Sequence, residues 1–141
     1  PLLDEQPAVL TIANRTPHKA EELASRFADS AASTQLHASG FEALAGQQFD
    51  LVINATAASL ADAAPALPGG LYAPGALAYD MMYGRDDTPF IAAARAEGAA
   101  RTADGLGMLV EQAAESFALW RGLRPDSSAV LAELRRELGG P

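Results

Sequence analysis

The sequence predicts an α/β fold, a parallel β-sheet with helices on both faces. Three observations carry this. Short, almost wholly apolar runs rich in β-formers, such as residues 8–13 and 49–56, read as strands buried on both faces. Between them lie stretches with apolar residues three or four apart, the spacing of one helix face. Twice, at Thr16-Pro17 and Thr88-Pro89, a threonine suited to cap a helix precedes a proline, which is favoured at the first helical position. Strands that alternate with capped helices imply parallel pairing.

The elements follow in order. Residues 8–13 form the first strand, too continuously apolar for an edge facing water. Thr16 and Pro17 open a helix to about Ala28, with Ala20, Leu23, Ala24 and Phe27 as its apolar stripe. A weaker strand at residues 34–38 and a short helical turn at 41–44 come next. Residues 49–56 are the strongest strand of the chain. Residues 57–76 hold Pro65, Pro68, Gly69, Gly70 and Pro74, which suits a connection. A buried strand is expected at 76–82. Thr88 and Pro89 start a helix that Gly98 stops after about Glu97. Residues 100–103 make a last short strand. A helix then runs from about Met108 to Arg121, with Phe117 and Trp120 expected in the core. Asp126 caps a final amphipathic helix bearing Val130, Leu131, Leu134 and Leu138.

Composition sets the outer limits. At 141 residues, 49% hydrophobic and 20% charged, the chain suits one globular domain with a core, and disordered or fibrous classes drop out. Ten basic against 18 acidic residues give a net charge of −8, which argues against a general nucleic-acid binder. With no cysteine there are no disulfides, no Cys-type zinc sites and no thiol catalysis. No apolar run has the length of a membrane span and no signal pattern opens the chain, which suits a cytoplasmic location. His18 and His37 lie far apart without neighbouring ligands, so no metal site is expected. Pro1 stands where an initiating Met would be, as though the chain were cut from something longer.

In open α/β sheets, ligands lie beyond the carboxyl ends of the strands. Those ends carry Asn14-Arg15-Thr16, Asn54-Ala55-Thr56, Asp80-Met81-Met82-Tyr83 and Asp104-Gly105, polar or small where the strands are apolar. Arg15 is the most informative. Dinucleotide-binding domains that prefer NAD usually place an acid after the second strand, to accept from the ribose 2′-hydroxyl. Here Asn14-Arg15-Thr16-Pro17-His18-Lys19 has no acid before Glu21. A guanidinium, an ammonium and a helix N-terminus offer a socket for a dianionic phosphate, which points to the 2′-phosphate of NADP. A solvated basic patch with a helix cap is the plainer alternative. The fingerprint G-x-G-x-x-G is absent from residues 1–30, and Gly105-Leu106-Gly107 alone reads as a tight turn using glycine's backbone freedom. Met81 and Met82 suit core filling, and Gln112, one turn into its helix, suits the surface.

Asn14-Arg15-Thr16, Asn54-Ala55-Thr56, Tyr79-Asp80-Met81-Met82-Tyr83 and the run Asp104-Gly105-Leu106-Gly107-Met108-Leu109-Val110-Glu111-Gln112-Ala113 together resemble, in order and spacing, the carboxyl-terminal part of shikimate dehydrogenase. The resemblance covers essentially the whole chain, and its last run is very specific. It implies a Rossmann-like sheet and NADPH-dependent reduction of 3-dehydroshikimate to shikimate, in aromatic amino-acid biosynthesis. It further implies that Asn14, Arg15, Thr16 and Lys19 hold the adenosine 2′-phosphate and that Thr56 lies near the cofactor. Met81 and Gly105 would flank the nicotinamide, while Tyr83 and Gln112 reach the substrate.

The chain departs from the family pattern in two respects. The family commonly reads N-A-T-S-x-G at the fourth strand, where this chain has Asn54-Ala55-Thr56-Ala57-Ala58-Ser59. The family's first strand, its G-x-G-G-A loop and its amino-terminal substrate domain, which holds the Ser pair, Lys, Asn and Asp that bind shikimate and handle the proton, have no counterpart in these residues. Residues 1–141 are thus expected to form an incomplete NADP-binding domain with C-terminal helices. No catalytic residue is expected in them, and alone they should lack dehydrogenase activity. In the strand order 3-2-1-4-5-6, the gap falls between residues 8–13 and 49–55, so an upstream segment or a second copy is expected as partner. Two other readings stand beside this one: a quinate/shikimate paralogue using NAD, which an acid near Arg15 would favour, and a catalytically dead nucleotide-binding or interaction fragment.

Overall fold

The computed structural model describes residues 1–56, 58 and 63–139. It is an α/β structure whose strands all pair in parallel, with four α-helices among the described residues. The chain divides into two compact units, Pro1–Gln47 with Ala66–Leu71, and Gln48–Pro65 with the residues from Tyr72 onward.

The first unit is a β-α-β arrangement. Strand β1 (Val9–Ala13) pairs with β2 (Gln35–Ser39), from Val9 opposite Gln35 to Ala13 opposite Ser39. Helix α1 (Pro17–Phe27) connects them and packs on both. Pro17 stands at its first turn, where a missing N–H costs nothing. Of the expected stripe only Ala20 is fully buried, while Leu23 and Phe27 remain over 40% exposed. Periodicity tells which residues share a face, not how much surface awaits them. Two strands about 5 Å apart are narrower than a helix about 10 Å across, so the flanks of the stripe overhang.

The second unit holds a three-stranded sheet in the order β3-β4-β5. Its strands are β3 (Phe49–Asn54), β4 (Tyr72–Asp80) and β5 (Arg101–Ala103). The central strand begins four residues earlier than the sequence suggests. Phe49 faces Tyr72 but Leu51 faces Leu77, so residues 73–76 bulge opposite Asp50. Pro74 and Gly75 lie in that bulge, where no ladder N–H is needed from the proline and Gly75 takes a φ of 85°. From its last residue onward, Ala76, Ala78 and Asp80 alternate as the buried face.

Helix α2 (Pro89–Ala96) returns from β4 to β5. The Thr88 hydroxyl caps it by accepting from Ile91 N–H, and Phe90, Ile91 and Ala94 are its buried residues. Gly98, at φ 92°, ends it as expected. Helix α3 (Leu106–Arg121) buries Leu106, Val110 and Ala114 at four-residue spacing. Helix α4 (Ser127–Glu137) packs on α3, its first turn capped by the Asp126 carboxylate through Ser128 and Ala129 N–H.

One expectation fails on α3. Trp120 is 78% exposed and Phe117 43%, so neither is core. Helix α3 packs on α4, and beyond Ala114 no residue of the helix is buried, so Phe117 and Trp120 lie on turns with little to pack on. No helix among the described residues is long and apolar enough to cross a membrane.

Candidate functional site

At the carboxyl end of β1, the chain turns sharply into α1. Asn14 N–H continues the strand ladder by donating to Ser39 C=O at 3.1 Å, and the Asn14 side-chain oxygen accepts from Thr16 N–H at 2.9 Å. This Asx turn occupies the asparagine. Thr16 stands at the cap position of α1, but its side chain makes no cap hydrogen bond, so its hydroxyl and the first-turn N–H of His18 remain available. Arg15 and Lys19 are exposed, and among the described residues no carboxylate pairs with either. The nearby Glu22 instead lies 3.6 Å from His18 Nδ1. Two cations, a hydroxyl and a helix N-terminus without a side-chain cap together form a donor set for a dianion.

The second cluster lies at the carboxyl ends of β3, β4 and β5. Its centre is Asp80, whose side chain is fully buried. Asp80 Oδ1 accepts from Asn54 Nδ2 and from Met82 N–H, both at 3.1 Å, and Oδ2 accepts from the Thr88 hydroxyl at 2.6 Å. The Asn54 side-chain oxygen in turn accepts from Thr56 N–H at 3.1 Å and from the Thr56 hydroxyl at 2.8 Å. One carboxylate thereby ties together the end of β3, the turn after β4 and the cap of α2. A network of this kind is costly to leave half-satisfied, and it holds the loops above it rigidly. Ala57 and Ser59, where the sequence departs from the N-A-T-S-x-G pattern, lie outside the described residues; Ala58 N–H donates to the Thr56 hydroxyl at 3.3 Å.

Next to this network the turns after β4 and β5 touch. Gly105 N–H donates to Met82 C=O at 2.9 Å. A Cβ on Gly105 would overlap the Met81 carbonyl, 2.6 Å from its carbon and closer to its oxygen. Gly105 has an ordinary φ of −77°, so room for the Met81 backbone, and not conformational freedom, is what requires glycine here. Asp104, at the end of β5, accepts from Leu106 N–H at 3.2 Å and receives both ends of the Arg135 guanidinium. That pairing raises the Arg135 pKa above its ordinary value, chiefly through the Asp104 hydrogen bond. The Tyr79 phenol is also pushed up, by burial first and by the Asp104 charge second.

Over 140 residues the chain is 66% identical to "Shikimate dehydrogenase (NADP(+))" of Aromatoleum aromaticum, a match covering 99% of this chain and 50% of that protein. Residues 105–135 match the family model described as the shikimate 5'-dehydrogenase C-terminal domain. Over nearly its whole length the chain is similar to shikimate dehydrogenases. It spans about half the length of the curated relatives it matches. Among solved structures it is similar to an Ael1 enzyme from Pseudomonas putida, with 50% identity and a TM-score of 0.74 over 91% of this chain and 46% of that one. It is likewise similar to the shikimate 5-dehydrogenase of Thermus thermophilus in complex with NADP(H) and shikimate, with 32% identity and a TM-score of 0.66 over 91% of this chain and 45% of that one.

In the first unit the structure ties Asn14 to Thr16 and Thr16 C=O to Lys19 N–H, with Arg15 exposed in the same turn. In the second it joins Thr56 to Asn54 and Asp80, and sets Met81 against Gly105. Met81 is 40% exposed, so it is no core filler. Tyr83 lies exposed on the loop after β4, and Gln112 is on an exposed face of α3. Three residues of this cluster escape sequence reasoning. The Thr88-Pro89 pair shows the cap but not the second bond of Thr88 to Asp80. Asp80 reads as one more polar strand end, and Arg135, 31 residues from Asp104, carries no local signal at all.

Proposed function

We propose that this chain is the cofactor-binding part of an NADP-dependent shikimate dehydrogenase, reducing 3-dehydroshikimate to shikimate. It is read as an incomplete NADP-binding domain with C-terminal helices. The observation that carries the cofactor choice is the pair Arg15 and Lys19 at the end of β1, both without a carboxylate partner among the described residues. Relatives named for NADP(+) and a neighbour in complex with NADP(H) and shikimate support the same reading.

In this reading Arg15 and Lys19 bind the adenosine 2′-phosphate, with Asn14 holding the turn and Thr16 offering its hydroxyl. When bound, NADPH supplies a hydride to the substrate ketone. Thr56, fixed by Asn54, and the Gly105 turn against the Met81 backbone are the residues that would hold the nicotinamide end. Tyr83 and Gln112 reach toward polar groups of the substrate. No residue of this chain is assigned the proton transfer.

The test is cofactor discrimination by Arg15→Ala. Losing one charge-assisted pair should weaken NADPH binding by about 2 kcal/mol and leave NADH hardly changed. Binding titrations with both cofactors, alongside 3-dehydroshikimate turnover, read this directly. Equal weakening of NADPH and NADH would make Arg15 a structural residue and remove the basis for the NADP assignment.

A further inference from the structure

Helix α4 is fastened near its carboxyl end at two points. The Arg135 guanidinium grips Asp104 as a fork, with Nη1 2.7 Å from Oδ2 and Nη2 on Oδ1. One turn further, the Leu138 carbonyl accepts from Arg85 Nε at 3.1 Å. Both anchor points belong to the loops that carry the cofactor-side residues. Arg85 follows Tyr83 after β4, and Asp104 precedes Gly105 after β5.

The Asp104 carboxylate that Arg135 holds also accepts from Leu106 N–H, the first helical residue of α3. Between these two contacts sits Gly105, pressed against the Met81 carbonyl. The Asp104 side chain is only 13% exposed and Arg135 37%, so this pair is better shielded from water than Arg124 with Glu111, at 49% and 55%. A planar two-point fork in such a setting fixes orientation, which a single flexible contact does not.

We propose that Arg135 is a positioning residue: through Asp104 it sets how the Gly105 turn meets the Met81 backbone, and so how the reducing end of the cofactor faces its substrate. This rests on the NADP-dependent dehydrogenase reading. Hydride transfer depends steeply on alignment, and a displacement of about 1 Å caused from outside the reacting centre costs up to about a hundredfold. Arg135 touches no reacting group. Its effect should therefore fall on kcat, and not on the capture of the adenosine end at Arg15.

The experiment uses the whole protein as its gene encodes it, with Arg135→Gln, Arg135→Lys and, as control, Arg124→Gln, at a residue that follows α3 and pairs with Glu111 and Glu115 on its exposed side. Arg135→Gln should lower kcat about tenfold and change the affinity for adenosine 2′,5′-bisphosphate less than about twofold. Arg135→Lys, which keeps the charge but loses the fork, should recover part of the rate, and Arg124→Gln should leave it unchanged. Amide hydrogen exchange at Leu106 should quicken in Arg135→Gln and not in the control. An unchanged kcat, unchanged exchange at Leu106, or a parallel loss of kcat and bisphosphate affinity would each overturn the proposal. If the unsubstituted protein does not reduce 3-dehydroshikimate with NADPH, the functional reading falls separately, and exchange at Leu106 still decides whether Arg135 holds the turn.

Discussion

Gly105→Ala is expected to destabilise the protein by about 3 kcal/mol or more, at the upper end of what an overpacked methyl costs. The cause is local. The added carbon meets the Met81 carbonyl, which is backbone and cannot rotate away as a side chain would. Relief requires the β4 and β5 turns to part, which breaks the 2.9 Å bond from Gly105 N–H to Met82 C=O and disturbs the surface proposed for the nicotinamide. Gly107 is the internal control. It lies two residues on, inside α3, and a Cβ there meets nothing within 4 Å. Gly107→Ala should be neutral or stabilising by up to about 1 kcal/mol, since alanine is the better helix former. Denaturant unfolding followed by circular dichroism compares the two directly. Equal stability of both variants would show that the contact at Gly105 is not tight.

Asp80→Ala should cost about 3 kcal/mol or more, through the donors it strands and not through lost apolar packing. Asn54 Nδ2, Met82 N–H and the Thr88 hydroxyl all point at this carboxylate, and the site is closed to water. The same substitution removes one of the bonds on the Asn54 side chain, which holds Thr56 at its other end. NADPH turnover should therefore fall together with stability, whereas Thr88→Val, which removes one donor to Asp80 and the hydroxyl cap of α2 but keeps the shape and the carboxylate, should lose less of both. A melting temperature for Asp80→Ala within a degree or two of the unsubstituted protein would show that the network does not bear on stability.

Much of the fold is legible locally. The Thr88-Pro89 start and the Gly98 stop of α2 and the Asp126 cap of α4 are each decided by neighbours in sequence and stand where expected, whereas the strand expected at 49–56 ends at Asn54 and leaves Leu51 and Ile53 exposed, against the reading of a strand buried on both faces. The failures share a cause too. Pro74 and Gly75 look like loop residues, yet a bulge opposite Asp50 accepts them inside β4, and only the partner strand reveals that. Phe117 and Trp120 look like core, yet α3 buries nothing beyond Ala114, and only the neighbouring elements reveal that. The site divides likewise. Arg15 and Lys19 stand out by the absence of an acid beside them. The joining of Asp80 to Asn54 and Thr88, and of Asp104 to Arg135, exists only where distant segments meet.

Trp120 is the only tryptophan of the chain, and it stands in water at the far end of α3. Its emission is therefore already that of a hydrated indole in the folded protein, and unfolding has little left to shift. Intrinsic fluorescence will under-report the melting of this chain. The same indole is a sensitive built-in reporter of anything that comes to cover that helix end, because only then does its surrounding turn from wet to dry.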